Sequence, residues 1–125
     1  MDNLLIKETK SSPEVNFDAI SQVLSMRGNL YPEHVNKFIA PVIKWLEEFF
    51  KNHPEGVTIV NLEMIYVNSS SSRALYQLFS FFNEIKEQYE VEINWVYEQE
   101  NDTSEEMGED FIEDYEDLNI NLVVK

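Results

Sequence analysis

Apolar positions recur every three or four residues in two long segments of the chain, which predicts two main helices. The first covers residues 31–51, with Pro32 in its first turn, and the second covers residues 71–88. Pro41 interrupts the first stripe and predicts a kink or two abutting helical pieces. Between the helices, residues 57–67 are largely apolar on both faces, as in a central strand covered on at least one side.

The opening segment alternates weakly between apolar and polar residues and predicts a small β-meander. Turn-forming residues separate its parts, and Arg27-Gly28-Asn29 is expected to end the third strand. The predicted strands are residues 4–6, 15–17 and 22–26.

The last third of the chain predicts a one-sided strand, a short amphipathic helix and a closing strand or extended tail. These are residues 91–97, 105–115 and 120–124. The strand–helix–strand unit within residues 57–97 is expected to form a right-handed parallel crossover. No repeat or linker interrupts the pattern, so residues 1–125 are predicted to form a single α/β domain.

Charge excludes several classes of partner. Nine basic residues stand against 24 acidic ones, a net charge of −15. Nucleic-acid backbones and anionic lipids both require cationic surfaces, so neither is an expected partner. Cysteine is absent, which excludes disulfides and thiolate chemistry. No apolar run has the length of a signal peptide or a membrane span, and we expect a soluble cytoplasmic protein without a cofactor.

Residues 98–117 contain 11 acids and no base, and three interpretations of this segment stay open. It is a solvated loop with an exposed helix, an electrostatic label that selects a basic partner, or a divalent metal site. The run from Asn101 lacks the calcium loop's glycine at its sixth position, where Glu106 stands. We therefore assign no metal ligand.

Enzymatic chemistry has little support in the sequence. The two histidines, His34 and His53, fall at predicted helix ends and are expected to face solvent. The three glycines form neither a phosphate-binding loop nor a nucleophile elbow. No catalytic residue is assigned, and a small metal-dependent hydrolase that uses the acidic segment is kept as an alternative.

Four consecutive serines, residues 69–72, lie where the central strand passes into the second helix. This is the ligand-facing edge of open α/β layers. Ser69 or Ser70 is suited to cap the helix, but four hydroxyls exceed what a cap requires. A helix start also stabilises added negative charge, and Arg73 is placed to pair with a phosphate on Ser69. The run is therefore a plain helix cap, or a site suited to be phosphorylated, to be recognised by a partner, or both.

The same segment resembles a known family. Residues 66–75, Tyr-Val-Asn-Ser-Ser-Ser-Ser-Arg-Ala-Leu, are similar to the signature Tyr-Phe-Asn-Thr-Ser-Ser-x-Lys-x-Leu of the SiaC family of bacterial regulatory phosphoproteins. Further similar blocks fall in the family's order over nearly the whole chain. They are residues 9–18, residues 28–33 followed by Pro41 and Trp45-Leu46, residues 95–97 and residues 108–111.

The resemblance implies a STAS-like layer: a mixed β-sheet with an N-terminal β-meander, two main helices and a short acidic C-terminal helix. It also implies a partner-switching role. A protein kinase would phosphorylate the hydroxyl after the family's Asn, here Ser69, with Ser70 and Ser71 as alternates. Asn68 and Arg73 would contact the phosphate or the partner.

Two more partners follow from the resemblance. A PP2C-like phosphatase would remove the phosphate, and the unmodified protein would bind and activate a diguanylate cyclase, raising cyclic di-GMP and favouring biofilm. Ser69 replaces the family's common Thr and keeps the nucleophilic oxygen, while Arg73 replaces Lys and keeps the charge. A STAS-like regulator of the anti-anti-sigma type is the alternative.

Overall fold

The structure, a computed structural model, describes all 125 residues and contains one six-stranded mixed sheet and three helices. The strands lie side by side in chain order; β1 to β3 are antiparallel and β3 to β6 are parallel. The predicted α/β class, the meander and the parallel crossover are confirmed. The elements are β1 Leu4–Ile6, β2 Glu14–Asp18, β3 Val23–Leu30, α1 Val35–Lys51, β4 Val57–Val67, α2 Ser72–Ile85, β5 Glu90–Tyr97, α3 Asp102–Asp114 and β6 Asn119–Val124.

All three helices lie on one face of the sheet. Successive right-handed crossovers that step in one direction across a sheet place their helices on the same side. Burial alternates accordingly along β4, where Val60, Leu62 and Met64 are buried and the residues between them are half-buried. Asparagines line part of the uncovered face, where Asn94 Nδ2 donates to Asn61 Oδ1 at 3.0 Å. The helix starts after β3, β4 and β5 therefore share one edge of the sheet.

α3 is fixed to the sheet and to α2 by close aromatic packing. Phe111 of α3 stacks on Phe79 of α2 with ring centroids 4.2 Å apart. The indole N–H of Trp95 donates to the Ser104 carbonyl at 2.8 Å. A Cβ on Gly108 would stand 2.6 Å from the Trp95 ring, so only glycine lets α3 approach this closely. The acidic helix is therefore a docked element rather than a loose tail.

The strand boundary that differs most from the prediction is the end of β3, whereas the other predicted strand bounds lie within one residue of the structure. β3 continues to Leu30, so the turn predicted at residues 27–29 is wrong. Gly28 has a φ of +138°, and the pairing register with β4 shifts between Gly28 and Leu30. A Cβ at Gly28 would lie 2.8 Å from the Glu8 carboxylate and 3.1 Å from Pro13 Cα. The glycine therefore marks an irregularity inside the strand.

The helices also begin and end differently from their predicted bounds. α1 begins at Val35 and continues through Pro41 as one helix, so the predicted start at residue 31 is wrong and no second piece exists. Pro41 is tolerated because it lies on the exposed side, where the carbonyl of exposed Lys37 is left to water. α2 ends at Ile85, three residues early, and α3 starts at Asp102, three residues early. None of the helices meets the length and apolarity that a membrane crossing requires.

Candidate functional site

The corner between β4 and α2 is built around Asn68. Its N–H donates to the Leu30 carbonyl of β3 at 3.3 Å, which ties the corner to the neighbouring strand. Its side-chain Oδ1 accepts from the Ser71 N–H at 2.9 Å. Its carbonyl accepts from the N–H groups of Ser71 and Ser72, both at 3.1 Å. Asn68 thus holds the start of α2 from both its side chain and its main chain.

The prediction that Ser69 or Ser70 caps α2 is therefore wrong. Asn68 takes this role because an Asn side chain reaches the N–H three residues ahead and closes the turn by itself. The serine at the N-cap position, Ser71, makes no side-chain capping bond. The serine hydroxyls on the surface of this corner are consequently not committed to holding the helix.

The four serines differ in how far solvent reaches them. Ser69 and Ser70 are exposed, whereas Ser71 is fully buried and its hydroxyl has no hydrogen-bond partner. Ser72 is half-buried and its hydroxyl donates to the Ser69 carbonyl at 2.7 Å. Only Ser69 and Ser70 present a hydroxyl that an incoming active site reaches without local unfolding. Ser71, one of the predicted alternate acceptors, is therefore shielded from solvent in the folded chain.

The start of α2 carries no negative charge of its own. Its first turn contains no acidic residue, and Arg73 is exposed. Arg73 also takes part in none of the chain's ion pairs, which are Arg27–Glu63, Lys125–Glu63 and Lys125–Glu98. Free N–H groups and the aligned peptide dipoles at a helix start favour an anion. The corner therefore has an unpaired guanidinium and a positive helix end beside an exposed hydroxyl.

A groove runs from this corner between α2 and α3. It encloses about 390 Å³ and is lined on the α2 side by Ser69, Ser72 and Tyr76. Two exposed carboxylates of α3, Glu106 and Asp110, line the opposite side. A new negative charge on Ser69 is consequently repelled from the groove and directed towards the positive start of α2.

Beyond the groove, a polar clamp that the sequence analysis missed joins α2 to α3. The Tyr76 hydroxyl donates to Asp114 Oδ2 at 2.8 Å, and the Tyr115 hydroxyl donates to the Tyr76 carbonyl at 3.2 Å. The hydrogen bond to Asp114, more than burial or charge, raises the pKa of Tyr76 to about 12. Partners 38 residues apart leave no spacing signal in a single sequence.

The acidic segment forms the outer face of α3 and its flanks. Asn101 caps this helix: its Oδ1 accepts from the Ser104 N–H at 3.1 Å, and its Nδ2 donates to the Ile65 carbonyl of β4 at 2.9 Å. The acids are spread around the exposed face, and no three side chains of His, Cys, Asp or Glu converge to hold a metal ion.

The two histidines lie away from the serine corner. His34 is exposed just before α1 and makes no side-chain cap, while His53 is exposed and its ring shares a hydrogen bond with the Tyr89 hydroxyl. Neither is among the residues that line the groove at Ser69. The prediction of solvent-facing histidines is confirmed, and no serine–histidine pair forms at this site.

Comparison with known proteins identifies the family. The profile of the SiaC family of regulatory phosphoproteins matches residues 6–125. The chain belongs to the SiaC family. Membership makes the protein a regulatory protein rather than an enzyme, and it confirms the family resemblance of the sequence blocks. The serine corner described above is therefore the corner of a SiaC-family fold.

Solved SiaC structures from Pseudomonas aeruginosa share the fold over the full chain. The apo-SiaC crystal structure matches with a TM-score of 0.85 at 28% identity, covering 100% of this chain and 99% of that one. A chain in the crystal structure of diguanylate cyclase SiaD in complex with its activator SiaC matches with a TM-score of 0.88 at 28% identity, covering 98% and 99%. An uncharacterized protein of P. aeruginosa strain UCBPP-PA14 is 30% identical over 91% of this chain and 90% of its own length.

Proposed function

We propose that this chain is a partner-switching regulator that binds and activates a diguanylate cyclase when unmodified and releases it when Ser69 is phosphorylated. The observation that carries the proposal is the exposed Ser69 at a helix start that has no negative charge of its own. The partner class comes from the SiaC of P. aeruginosa, an activator crystallised with the diguanylate cyclase SiaD. The protein acts in the cytoplasm, where a cyclase domain finds its nucleotide substrate.

The switch follows from the physics of the corner. Phosphate on Ser69 adds about 1.5 to 2 negative charges and three strong acceptor oxygens. A partner that covers the corner must strip water from this group, which costs several kcal/mol if the charge stays unpaired. Arg73 and the start of α2 stabilise the phosphate in the free protein, and this favours release further. Binding is lost without a change of fold.

A protein kinase and a PP2C-like phosphatase complete the cycle. Ser70, the other exposed serine, is the alternate acceptor. Incubation with a candidate protein kinase from the same organism, followed by peptide mapping by mass spectrometry, locates the phosphate. We expect Ser69; modification at Ser70 corrects the site, and modification at Ser71 means that the corner unfolds before phosphoryl transfer.

Binding to purified SiaD of P. aeruginosa, measured by isothermal titration calorimetry, tests the switch. We expect Ser69→Ala to bind like the wild type and Ser69→Asp to bind at least tenfold more weakly, with cyclase activation following binding. Ser70→Asp adds the same charge at the alternate acceptor, and we expect it to weaken binding less than Ser69→Asp does. Equal affinity of Ser69→Asp and Ser69→Ala contradicts the electrostatic switch.

A further inference from the structure

The six tyrosines fall into two groups by the partners of their hydroxyls. Four hydroxyls form hydrogen bonds within the chain. The other two, those of Tyr31 and Tyr66, form none. The four bonded pairs are Tyr76–Asp114, Tyr89–His53, Tyr97–Glu105 and Tyr115–Ser80. Tyr31 and Tyr66 are therefore the tyrosines whose polar ends the fold leaves unused.

These two tyrosines lie together at the edge of the sheet that holds Ser69. Tyr31 follows the last residue of β3, and Tyr66 is the second-last residue of β4. Their rings meet edge to face with centroids 5.7 Å apart. Tyr66 is 53% exposed and Tyr31 is half-buried. We name this feature the Tyr31–Tyr66 pair.

At the end of β4, the start of α3 takes the place of β5: Asn101 and Ser104 donate to the carbonyls of Ile65 and Met64. The pairing of β4 with β5 stops at Leu62, so the last residues of β4 have no β5 neighbour. Tyr66 projects from this end, and Ser69 follows it by three residues. Tyr66 and Ser69 therefore lie at the same edge of the sheet, at the end of β4 and in the turn that follows it.

We propose that the Tyr31–Tyr66 pair is the anchor by which the unmodified protein holds its partner, an inference that rests on the proposed function. Tyrosine supplies a large rigid apolar area and a polar tip, and it is enriched among residues that dominate binding energy. The fitting partner presents an apolar cleft with hydrogen-bond acceptors at its border. The pair supplies the affinity and Ser69 supplies the switch, and both lie at the same edge of the sheet.

A matched control is available at the opposite edge of the sheet. Ile20 is 92% exposed in the loop between β2 and β3, far from the helix starts. It offers exposed apolar area without the position or the hydroxyl of the pair. Truncating Ile20 therefore separates a specific anchor from general surface hydrophobicity.

The test is the affinity of the unmodified protein for SiaD of P. aeruginosa by isothermal titration calorimetry. We expect Tyr66→Ala and Tyr31→Ala each to weaken binding about 10- to 100-fold, the range of strong interface residues. We expect Ile20→Ala to stay within twofold of the wild type. Tyr66→Phe keeps the ring and tests the hydroxyl, with an expected loss smaller than that of Tyr66→Ala.

Two further outcomes separate the anchor from the function itself. If both alanine variants bind within twofold of the wild type while Ser69→Asp binds weakly, the anchor is wrong and the proposed function stands. If the wild type does not bind the cyclase, both fall. Tyr66→Thr retains the strand preference of β4 and replaces Tyr66→Ala if the latter melts early by circular dichroism. If Tyr66→Thr binds SiaD as tightly as the wild type does, the anchor is likewise wrong.

Discussion

The corners that begin α2 and α3 are capped by the same kind of hydrogen bond but differ in their charge. Each follows a parallel strand, and in each an asparagine Oδ1 accepts from the N–H three residues ahead, at 2.9 Å from Ser71 and 3.1 Å from Ser104. The first turn of α3 already contains Asp102 and Glu105, whereas the first turn of α2 contains no acid.

We call the α3 corner fixed and the α2 corner switchable, in keeping with the proposed phosphorylation of Ser69. At α3 the favourable interaction between negative charge and the helix dipole is encoded in carboxylates and is permanent. At α2 exposed serine hydroxyls stand there instead, and the proposed phosphorylation is what would add the charge. α3 itself is held against the sheet by the Trp95 hydrogen bond and by the close approach at Gly108.

Breaking the fixed corner has the largest expected effect. Gly108→Ala places a methyl group 2.6 Å from both the Trp95 ring and Leu122, so α3 must shift away from the sheet. We expect a loss of about 1–3 kcal/mol in the free energy of unfolding, measured by urea denaturation. Gly56→Ala gives no such overlap and is the control for space, although its φ of +72° adds backbone strain. An unchanged midpoint for Gly108→Ala would show that α3 is not tightly docked.

Removing each capping asparagine compares the corners directly. We expect Asn68→Ala and Asn101→Ala each to cost about 0.5–2 kcal/mol, typical of lost caps. Asn101→Ala should cost more, because the Asn101 side chain also donates to the Ile65 carbonyl. Chemical denaturation of both variants checks the order. The reverse order would mean that the serine corner depends on its cap more than the geometry indicates.

Removing the positive charge of Arg73 at the start of α2 is expected to have a smaller effect, and to stabilise the protein rather than destabilise it. Arg73 places a cation at the positive end of the helix, where it is unfavourable until a phosphate arrives. We expect Arg73→Gln to stabilise the unmodified protein by about 0.3–1 kcal/mol. Lys44→Gln removes the same charge from the exposed middle of α1 and is the control. If Arg73→Gln loses stability and Lys44→Gln does not, the claim that Arg73 is unfavourable in the unmodified protein is wrong.

Alkaline pH gives the smallest and most local effect. The pKa of Tyr76 is raised to about 12 by its bond to Asp114, so the folded state keeps this proton above pH 10 while the unfolded state loses it. This stabilisation is complete below pH 10 and declines as the pH rises towards 12. We expect Tyr76→Phe to lose less stability than the wild type as the pH rises. Melting temperatures of both proteins, measured from pH 8 to 11, check this. Glu47→Gln serves as an exposed control.

How far the sequence predicted the molecule depends on the range of the interactions. Apolar periodicity placed β4, α2 and β5 because it reports which face of an element is buried. It missed the continuation of β3 through Gly28, since that glycine is required by contacts with Glu8 and Pro13 rather than by a local turn. Local signals cannot carry such tertiary constraints.

In the candidate site, too, local features were predictable from the sequence and long-range contacts were not. The serine run and the family signature pointed to Ser69, and its exposure agrees with that expectation. The cap was assigned to a serine because capping preferences alone do not choose between a serine and the preceding Asn68. The Tyr31–Tyr66 pair joins residues 35 positions apart in the chain, and nothing in one sequence brings them together.

The most direct measurement compares the two states of the switchable corner. Protein carrying phosphoserine at position 69, made by site-specific incorporation, is titrated against SiaD beside the unmodified chain and beside the same sample after treatment with a PP2C-like phosphatase. The account predicts at least tenfold weaker binding of the phosphorylated form and full recovery after dephosphorylation. Equal affinity of the phosphorylated and unmodified forms would contradict it.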